Sequence, residues 1–243
     1  DAFLRDRVTG VNEIVNIADD GSRLDVGFCV DVSADGRYVV FDAYTGSTGT
    51  HIAAYLRDRV EGTTELIGLS SEEVPANGRC DWPTITADGR FVSFSSSATN
   101  LISNDGNNAR DIFVRDRQEG TTELVSLSSD GVQANGGCGQ QTAISADGRF
   151  VAFTSNATNL APEDEDDTID VFVRDREQGT TEVVSLSSLD VKANAYCDNP
   201  FISTDGRFVG FSTAAANLKC QDKNGVTDVF LRDRGEENAS TFS

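Results

Sequence analysis

Three stretches of this chain place carboxylates and amides at a spacing that suits a hard cation. They read Asp105-Gly106-Asn107-Asn108-Ala109-Arg110-Asp111, Asp164-Glu165-Asp166-Asp167-Thr168-Ile169-Asp170 and Asp222-Lys223-Asn224-Gly225-Val226-Thr227-Asp228, and all fit Asp-x-(Asp/Asn)-x-x-x-Asp. Ca2+ takes about six to eight oxygens from carboxylates, amides and backbone carbonyls at alternate loop positions. That makes Asp105, Asn107, Asp111, Asp164, Asp166, Asp170, Asp222, Asn224 and Asp228 the candidate metal ligands. The run is shorter than an EF-hand loop and lacks its closing Glu. A fourth stretch, Ser47-Thr48-Gly49-Thr50-His51-Ile52-Ala53, carries no acids and is not expected to bind. The competing reading is structural, since Asp and Asn also form turns and start strands.

Cysteine is the second group with chemistry to offer. Cys80, Cys138 and Cys197 each follow Ala-Asn-x-x, with Cys29 a looser copy. Thiols in such a ring could hold a soft metal, or could be small semi-buried residues copied with their surroundings. Cys197 and Cys220 are placed to form a disulfide, and five cysteines leave at least one unpaired. Cys80, Trp82 and Cys138 are expected at a channel mouth, where Trp82 could stack on a sugar or peptide. His51 is the only histidine and is expected on an exposed loop. No Ser-His-Asp or His-metal constellation is evident, so the chain reads as non-catalytic.

These residues recur because the chain is a repeat. Asp-Gly-Arg followed by Tyr or Phe occurs at Asp35, Asp88, Asp147 and Asp205. Arg-Asp-Arg is centred on Asp6, Asp58, Asp116, Asp175 and Asp233 with nearly the same period, close to 58 residues. Each period reads as four short strands. The first ends at Asp-Gly, a tight-turn signal in which Gly supplies positive φ. The second is the alternating run after it, such as Arg90–Phe94. The third contains Arg-Asp-Arg, and the fourth is of the type Thr121–Leu127. The Asp-Gly and Arg-Asp-Arg turns share one face. The acidic loops and the links between periods share the other. Recurrence of Arg-Asp-Arg suggests ion pairs between neighbouring periods, and Glu13, Glu65, Glu123 and Glu182 read as solvated.

Four antiparallel strands repeated radially make a β-propeller, so the fold class is all-β with almost no helix. The stretch Ser145 to Phe153, with Asp170-Val171-Phe172-Val173-Arg174-Asp175 after it, resembles the WD40-like repeat of the TolB-type propellers. The resemblance covers nearly the whole chain, but Ala34, Ala87, Ala146 and Thr204 replace the family's usual turn proline. It implies a fold and says little about function. The periods divide the chain into a half blade over 1–27 and blades over 28–80, 81–138, 139–197 and 198–243. That count does not close by itself. Three readings follow: an excerpt of a longer protein, a five-bladed ring with an incomplete blade, or an oligomer completed by strands of another copy through an unpaired edge.

Composition narrows the partners. There are 40 acidic and 20 basic side chains, a net charge of -20 and a pI near 4.2. Such a surface repels nucleic acid and anionic membranes. No apolar run reaches the roughly 18 residues of a membrane span. No basic and apolar leader opens the chain, and Met is absent, which reads as a mature product, a processed fragment or the ordered part of something longer. Acidity with little Lys fits salt adaptation as well as an acidic secreted bacterial protein. The expectation is a secreted, cell-surface or periplasmic module that binds a protein or a surface polymer, with calcium ordering its loops. The rival expectations are a self-assembling surface subunit and the propeller domain of a larger hydrolase or lyase.

Overall fold

The computed structural model describes residues 1–45, 51–162, 164, 166–219 and 225–235, with the side chains of Phe28 and Cys29 left aside. Among these residues there is no helix, and 17 strands form five antiparallel sheets. Strands β1 (Phe3–Arg5) and β2 (Asn12–Ile14) make a two-stranded sheet. Strands β3 (Asp25–Val32), β4 (Tyr38–Thr45), β5 (His51–Asp58) and β6 (Thr63–Leu66) make the first four-stranded blade, in sequence order. The next blade holds β7 (Cys80–Ile85), β8 (Phe91–Ser96), β9 (Asp111–Asp116) and β10 (Thr121–Leu124). The one after holds β11 (Cys138–Ile144), β12 (Phe150–Ser155), β13 (Asp170–Asp175) and β14 (Thr180–Val183). Strands β15 (Cys197–Ile202), β16 (Phe208–Thr213) and β17 (Asp228–Asp233) form the last sheet. The fourth strand expected over Asn238 to Phe242 lies outside the described residues. The inner strands β3, β7, β11 and β15 lie side by side, so their free edges define the channel. Each carries a β-bulge in its pairing with the second strand.

The core lies between sheets. Ile112 and Val114 of β9 pack with Val151 and Phe153 of β12, and Val171 and Val173 of β13 pack with Val209 and Phe211 of β16. Burying alternate residues of one sheet against the next is what the period-2 pattern demands. The same positions on β17, Val229 and Leu231, are 73% and 64% exposed because no described sheet covers them. Within each blade the second and third strands add an aromatic pair: Phe41–Tyr55, Phe94–Phe113, Phe153–Phe172 and Phe211–Phe230, with centroids 5.8–6.0 Å apart.

The two repeated motifs join blades. Arg37, Arg90, Arg149 and Arg207 each bind the central Asp of their own blade's Arg-Asp-Arg, namely Asp58, Asp116, Asp175 and Asp233. Each also lies over the aromatic ring that follows it, 4.6–4.9 Å from the centroid. The second Arg of the next blade's triplet also lies over that ring: Arg117 over Tyr38, Arg176 over Phe91 and Arg234 over Phe150, at 4.5–4.6 Å. Cation–π contacts of this kind contribute about 1 kcal/mol each. Those second arginines also pair with Glu65, Glu123 and Glu182 of the preceding blade, as Arg59 does with Glu13. The glutamates are therefore half-exposed ion-pair partners, not merely solvated groups. The glycine of the turn is required at the same junction. Gly148 has φ +79°, and a Cβ there would lie within 2.4 Å of the Phe91 ring.

Candidate functional site

The acidic loops converge on the acid that opens each third strand. Asp170, fully buried at the start of β13, accepts from Ser185 Oγ at 2.6 Å. The Lys192 Nζ lies 2.7 Å from Asp164 Oδ1, 2.7 Å from Asp166 Oδ1 and 3.0 Å from Asp170 Oδ2. Burial works against this ammonium, but its hydrogen bonds to Asp164, Asp166 and Asp170 outweigh that and hold its pKa well above the ordinary lysine value. Lys192 in turn holds the Asp166 carboxyl down at about 2, helped by the Thr168 backbone N–H. Burial raises Asp170, against the pull of Ser185 and Lys192. The three carboxylates are close enough to hold a metal ion, and the lysine ammonium already lies among them.

The same positions one blade earlier hold a different answer. Asp111, fully buried, accepts from Ser126 Oγ at 2.6 Å and from Asn107 Nδ2 at 3.2 Å. Gln133 replaces the lysine, and its Nε2 donates to Asp105 Oδ1 at 2.9 Å and Asp111 Oδ2 at 3.1 Å. One neutral amide thus bridges two carboxylates. Burial raises the Asp111 pKa, and the charge of Asp105 adds to it against the hydrogen bonds from Ser126, Asn107 and Gln133. The second oxygen of Asp105 is buried with no hydrogen-bond partner. The middle residues do turn chemistry: Asn107 Oδ1 accepts from Ala109 N and Asp166 Oδ1 from Thr168 N, both at 2.9 Å. Of the third loop, Asp222 and Asn224 lie outside the described residues, while Asp228 opens β17.

Aligned by repeat, the residue at the Asp170 position and the residues 15 and 22 positions after it change together. The sets are Asp1-Asn16-Arg23, Ala53-Gly68-Pro75, Asp111-Ser126-Gln133 and Asp170-Ser185-Lys192. In the first set Arg23 Nη1 lies 2.8 Å from Asp1 Oδ2, and Asn16 Nδ2 donates to Asp1 Oδ1 at 3.4 Å. Where the acid is lost, at Ala53, both donors are lost with it. A buried carboxylate without donors costs several kcal/mol, which accounts for the joint change. The bridges Ile17↔Arg23, Leu69↔Pro75, Leu127↔Gln133 and Leu186↔Lys192 fix the donor position on the link of each sheet.

The cysteines follow the reading as buried repeat residues, not the one that places thiols at the channel mouth. Cys80, Cys138 and Cys197 are at most 7% exposed and belong to the cores between sheets. The inner strand turns each thiol toward the neighbouring sheet, so Cys80 and Cys138 do not present a thiol at the channel mouth. Burial pushes the Cys80 and Cys138 thiols up to about 12 and Cys197 to about 11, values of inert thiols. The Cys197 thiol is free, and its expected partner Cys220 lies outside the described residues. His51 is exposed at the start of β5.

One constellation breaks the repeat and was missed in the sequence. Asp81 is fully buried on β7 and is held by Ser95 Oγ at 2.7 Å, by Arg79 Nη2 at 3.1 Å and by Arg110. Arg110 Nη1 also donates to Ser95 Oγ at 3.0 Å. Trp82 follows in the bulge of the same strand, half-buried with φ +54°, and its backbone N–H donates to the buried Asp42 of the preceding blade at 3.4 Å. A bulky residue at positive φ is a true outlier, and bulges re-aim side chains near binding sites. In the neighbouring blades Arg79 becomes Gly137 and Tyr196, and Arg110 becomes Ile169 and Thr227. The signal was available: 14 of the 17 arginines belong to the two repeated motifs, and two of the other three meet at Asp81.

No family model and no curated protein sequence matches this chain. Solved structures do resemble it in fold. TolB from Acinetobacter baumannii superposes with a TM-score of 0.52 at 16% identity over 97% of this chain, which spans 49% of that protein. The putative TolB from Agrobacterium tumefaciens gives 0.55 at 17% identity, covering 92% of this chain and 78% of that one. The β-propeller domain of the Trilobed protease from Pyrococcus furiosus, described as having an open velcro topology, gives 0.54 at 10% identity, covering 88% and 56%. The chain therefore has the TolB-like β-propeller fold and spans about half the length of the first of these relatives.

Proposed function

We propose that this chain is a non-catalytic extracytoplasmic binding module whose loop face and channel mouth take a protein or a surface polymer. The observation that carries this reading is the division of its polar groups. The repeated charges are consumed in holding blades together, and the polar cluster that breaks the repeat lies at the channel end of β7, beside the only Trp. A repeat multiplies a surface, whereas a reacting centre requires a unique group of matched pKa. The described residues include no helix long and apolar enough to cross a membrane.

Calcium belongs to this reading at Asp105, Asn107 and Asp111, where two carboxylates share a neutral amide. At Asp164, Asp166 and Asp170 an ion would compete with Lys192. A second reading, association of the β17 face with another sheet, is favoured by the exposure of Phe201, Val229 and Leu231. The third, a propeller domain within a larger hydrolase or lyase, is favoured by the protease propeller among the fold relatives.

The proposal is tested on an array of neutral glycans, acidic glycans and peptides. Wild type should bind a subset of the array, and Trp82→Ala should weaken that binding at least fivefold. Binding unchanged in Trp82→Ala would place the surface elsewhere.

A further inference from the structure

We infer that the outer edge of β17 accepts an extended segment of a partner protein with the pattern Thr-x-(Leu/Val)-(Val/Ile). This goes beyond the loop-face reading and uses a different part of the molecule. The other blades show what such a slot holds. Thr64 of β6 faces Arg57, Thr122 of β10 faces Arg115 and Thr181 of β14 faces Arg174. Two residues on, Leu66, Leu124 and Val183 face Tyr55, Phe113 and Phe172. The threonine hydroxyl donates to a carbonyl of the preceding link, that of Ile17, Leu69 or Leu127, at 2.5 Å. A serine of that link accepts from the threonine N–H at 2.9 Å, Ser71 for Thr122 and Ser129 for Thr181. The last residue of the pattern, Ile67, Val125 or Val184, is buried and donates its N–H to the third strand at 2.8 Å.

The same receiving groups are in place at β17. Among the described residues no strand lies on them, and the last sheet ends at β17. Arg232 Nη1 donates to Ser187 O at 2.9 Å, as Arg115 and Arg174 donate to Ser70 O and Ser128 O at 3.1 and 3.0 Å. Leu186 and Ser188 stand where Leu127 and Ser129 stand one blade earlier. With Phe211, Leu218 and Phe230 they border a groove of about 560 Å3. Leu218 is the counterpart of Leu160, which shares its core with Val183. An unpaired edge beside an apolar groove is where extended peptides add a strand. Main-chain bonds give affinity there, and pockets for alternate side chains give specificity. Glu65, Glu123 and Glu182 fill the x position elsewhere and pair with the next blade's arginine, so the slot itself does not read that position.

The residues that follow β17 in sequence lack the pattern. In each earlier copy a glycine stands four residues after the central Asp of the triplet: Gly10, Gly62, Gly120 and Gly179, at φ +65° to +74°. This turn leads into the fourth strand. Glu237 occupies that position after β17, and a glutamate takes such a φ only with strain. Ala239 replaces the threonine and Thr241 the Leu or Val. The slot is kept while the segment that would fill it in cis has changed, which makes the occupant a strand supplied in trans.

The probe is a labelled synthetic peptide of the sequence Gln178–Ser187, which fills the preceding slot, titrated into the full chain and followed by fluorescence anisotropy. One peptide should bind per chain, and hydrogen exchange should slow along Val229–Leu231. A peptide with Ala for Thr181 should bind at least fivefold more weakly, and one with Asp for Val183 should not bind. In the chain, Ser188→Ala should weaken binding of the unaltered peptide at least fivefold with an unchanged melting temperature, since Ser188 is exposed. No binding, or binding indifferent to these changes, would overturn the inference. So would exchange that slows only at another edge. Val229–Leu231 already protected without peptide, as strongly as Val171–Val173, would show the slot filled by the chain itself or by a second copy, and would also overturn it. Binding on the glycan and peptide array that depends on Trp82 is a separate readout, so the loop-face reading stands or falls by itself.

Discussion

Replacing Lys192 by Met should lower the melting temperature by about 6–12 °C at pH 7. The substitution leaves Asp164 and Asp170, both with fully buried side chains, without their ammonium. Breaking a buried pair by removing one partner costs about 3–5 kcal/mol. Asp166 is half-exposed and Lys192 retains some solvent contact, so the low end, about 3 kcal/mol, applies. For a chain of this size 1 kcal/mol moves the midpoint about 2–4 °C. The pH dependence gives the sign a second check. Asp170 already has a raised pKa through burial, and losing Lys192 raises it further. A carboxyl raised above its unfolded value penalises the fold at neutral pH, and the penalty falls as pH drops toward the raised value. The gap between Lys192→Met and wild type should therefore narrow from pH 7 to pH 5. Millimolar Ca2+ should restore part of the loss, because three carboxylates then face a cation again. Thermal melts across pH and Ca2+ read all three effects, and a midpoint unchanged from wild type would show that the triad needs no cation.

Gln133→Lys is the reciprocal change and should remove the calcium dependence expected of wild type. In wild type, Asp105 and Asp111 share only the Gln133 amide. An ion bound at 100 times its Kd stabilises by about 2.7 kcal/mol, which corresponds to about 5–10 °C here. Wild type should show that difference between 1 mM Ca2+ and excess chelator. Lysine at position 133 supplies the ammonium that Lys192 supplies one blade on. The variant should melt higher than wild type in chelator and show no response to Ca2+. Its cost is the bond that Gly106 N–H donates to Gln133 Oε1, about 1 kcal/mol. Wild-type melting that ignores both chelator and calcium would reduce Asp105, Asn107 and Asp111 to turn and strand-start residues.

These two sites show where sequence reading succeeds and where it stops. The Asp-Gly-Arg and Arg-Asp-Arg motifs announce four-stranded blades because each copy must satisfy the same turn and the same inter-blade contact. The structure adds why the arginines recur: Tyr38, Phe91 and Phe150 are each covered by one Arg from their own blade and one from the next. The acidic loops were legible as clusters. Their partners were not, because the position that can supply a donor lies 22 residues on and holds Arg, Gln or Lys where the acid is present and Pro, which donates nothing, where it is not. Only the folded link shows that these dissimilar residues occupy one place. The cysteines were legible as semi-buried repeat residues but not as core ones, because position along the inner strand does not fix orientation, and the strand turns Cys80 and Cys138 into the core. Asp81 was hidden for the opposite reason. Its partners Arg79 and Arg110 are 31 residues apart and belong to no motif.

The separation of structural charges from the non-repeating cluster at β7 is what makes a binding module the best-supported reading of this propeller. Mass balance tests it most directly. The chain is held for a day with the glycans and peptides it retains, and the small molecules are then analysed by mass spectrometry. The account predicts ligands that are bound and recovered with unchanged masses. New products in proportion to the amount of chain, lost in Trp82→Ala, would contradict it and make the channel mouth a catalytic centre.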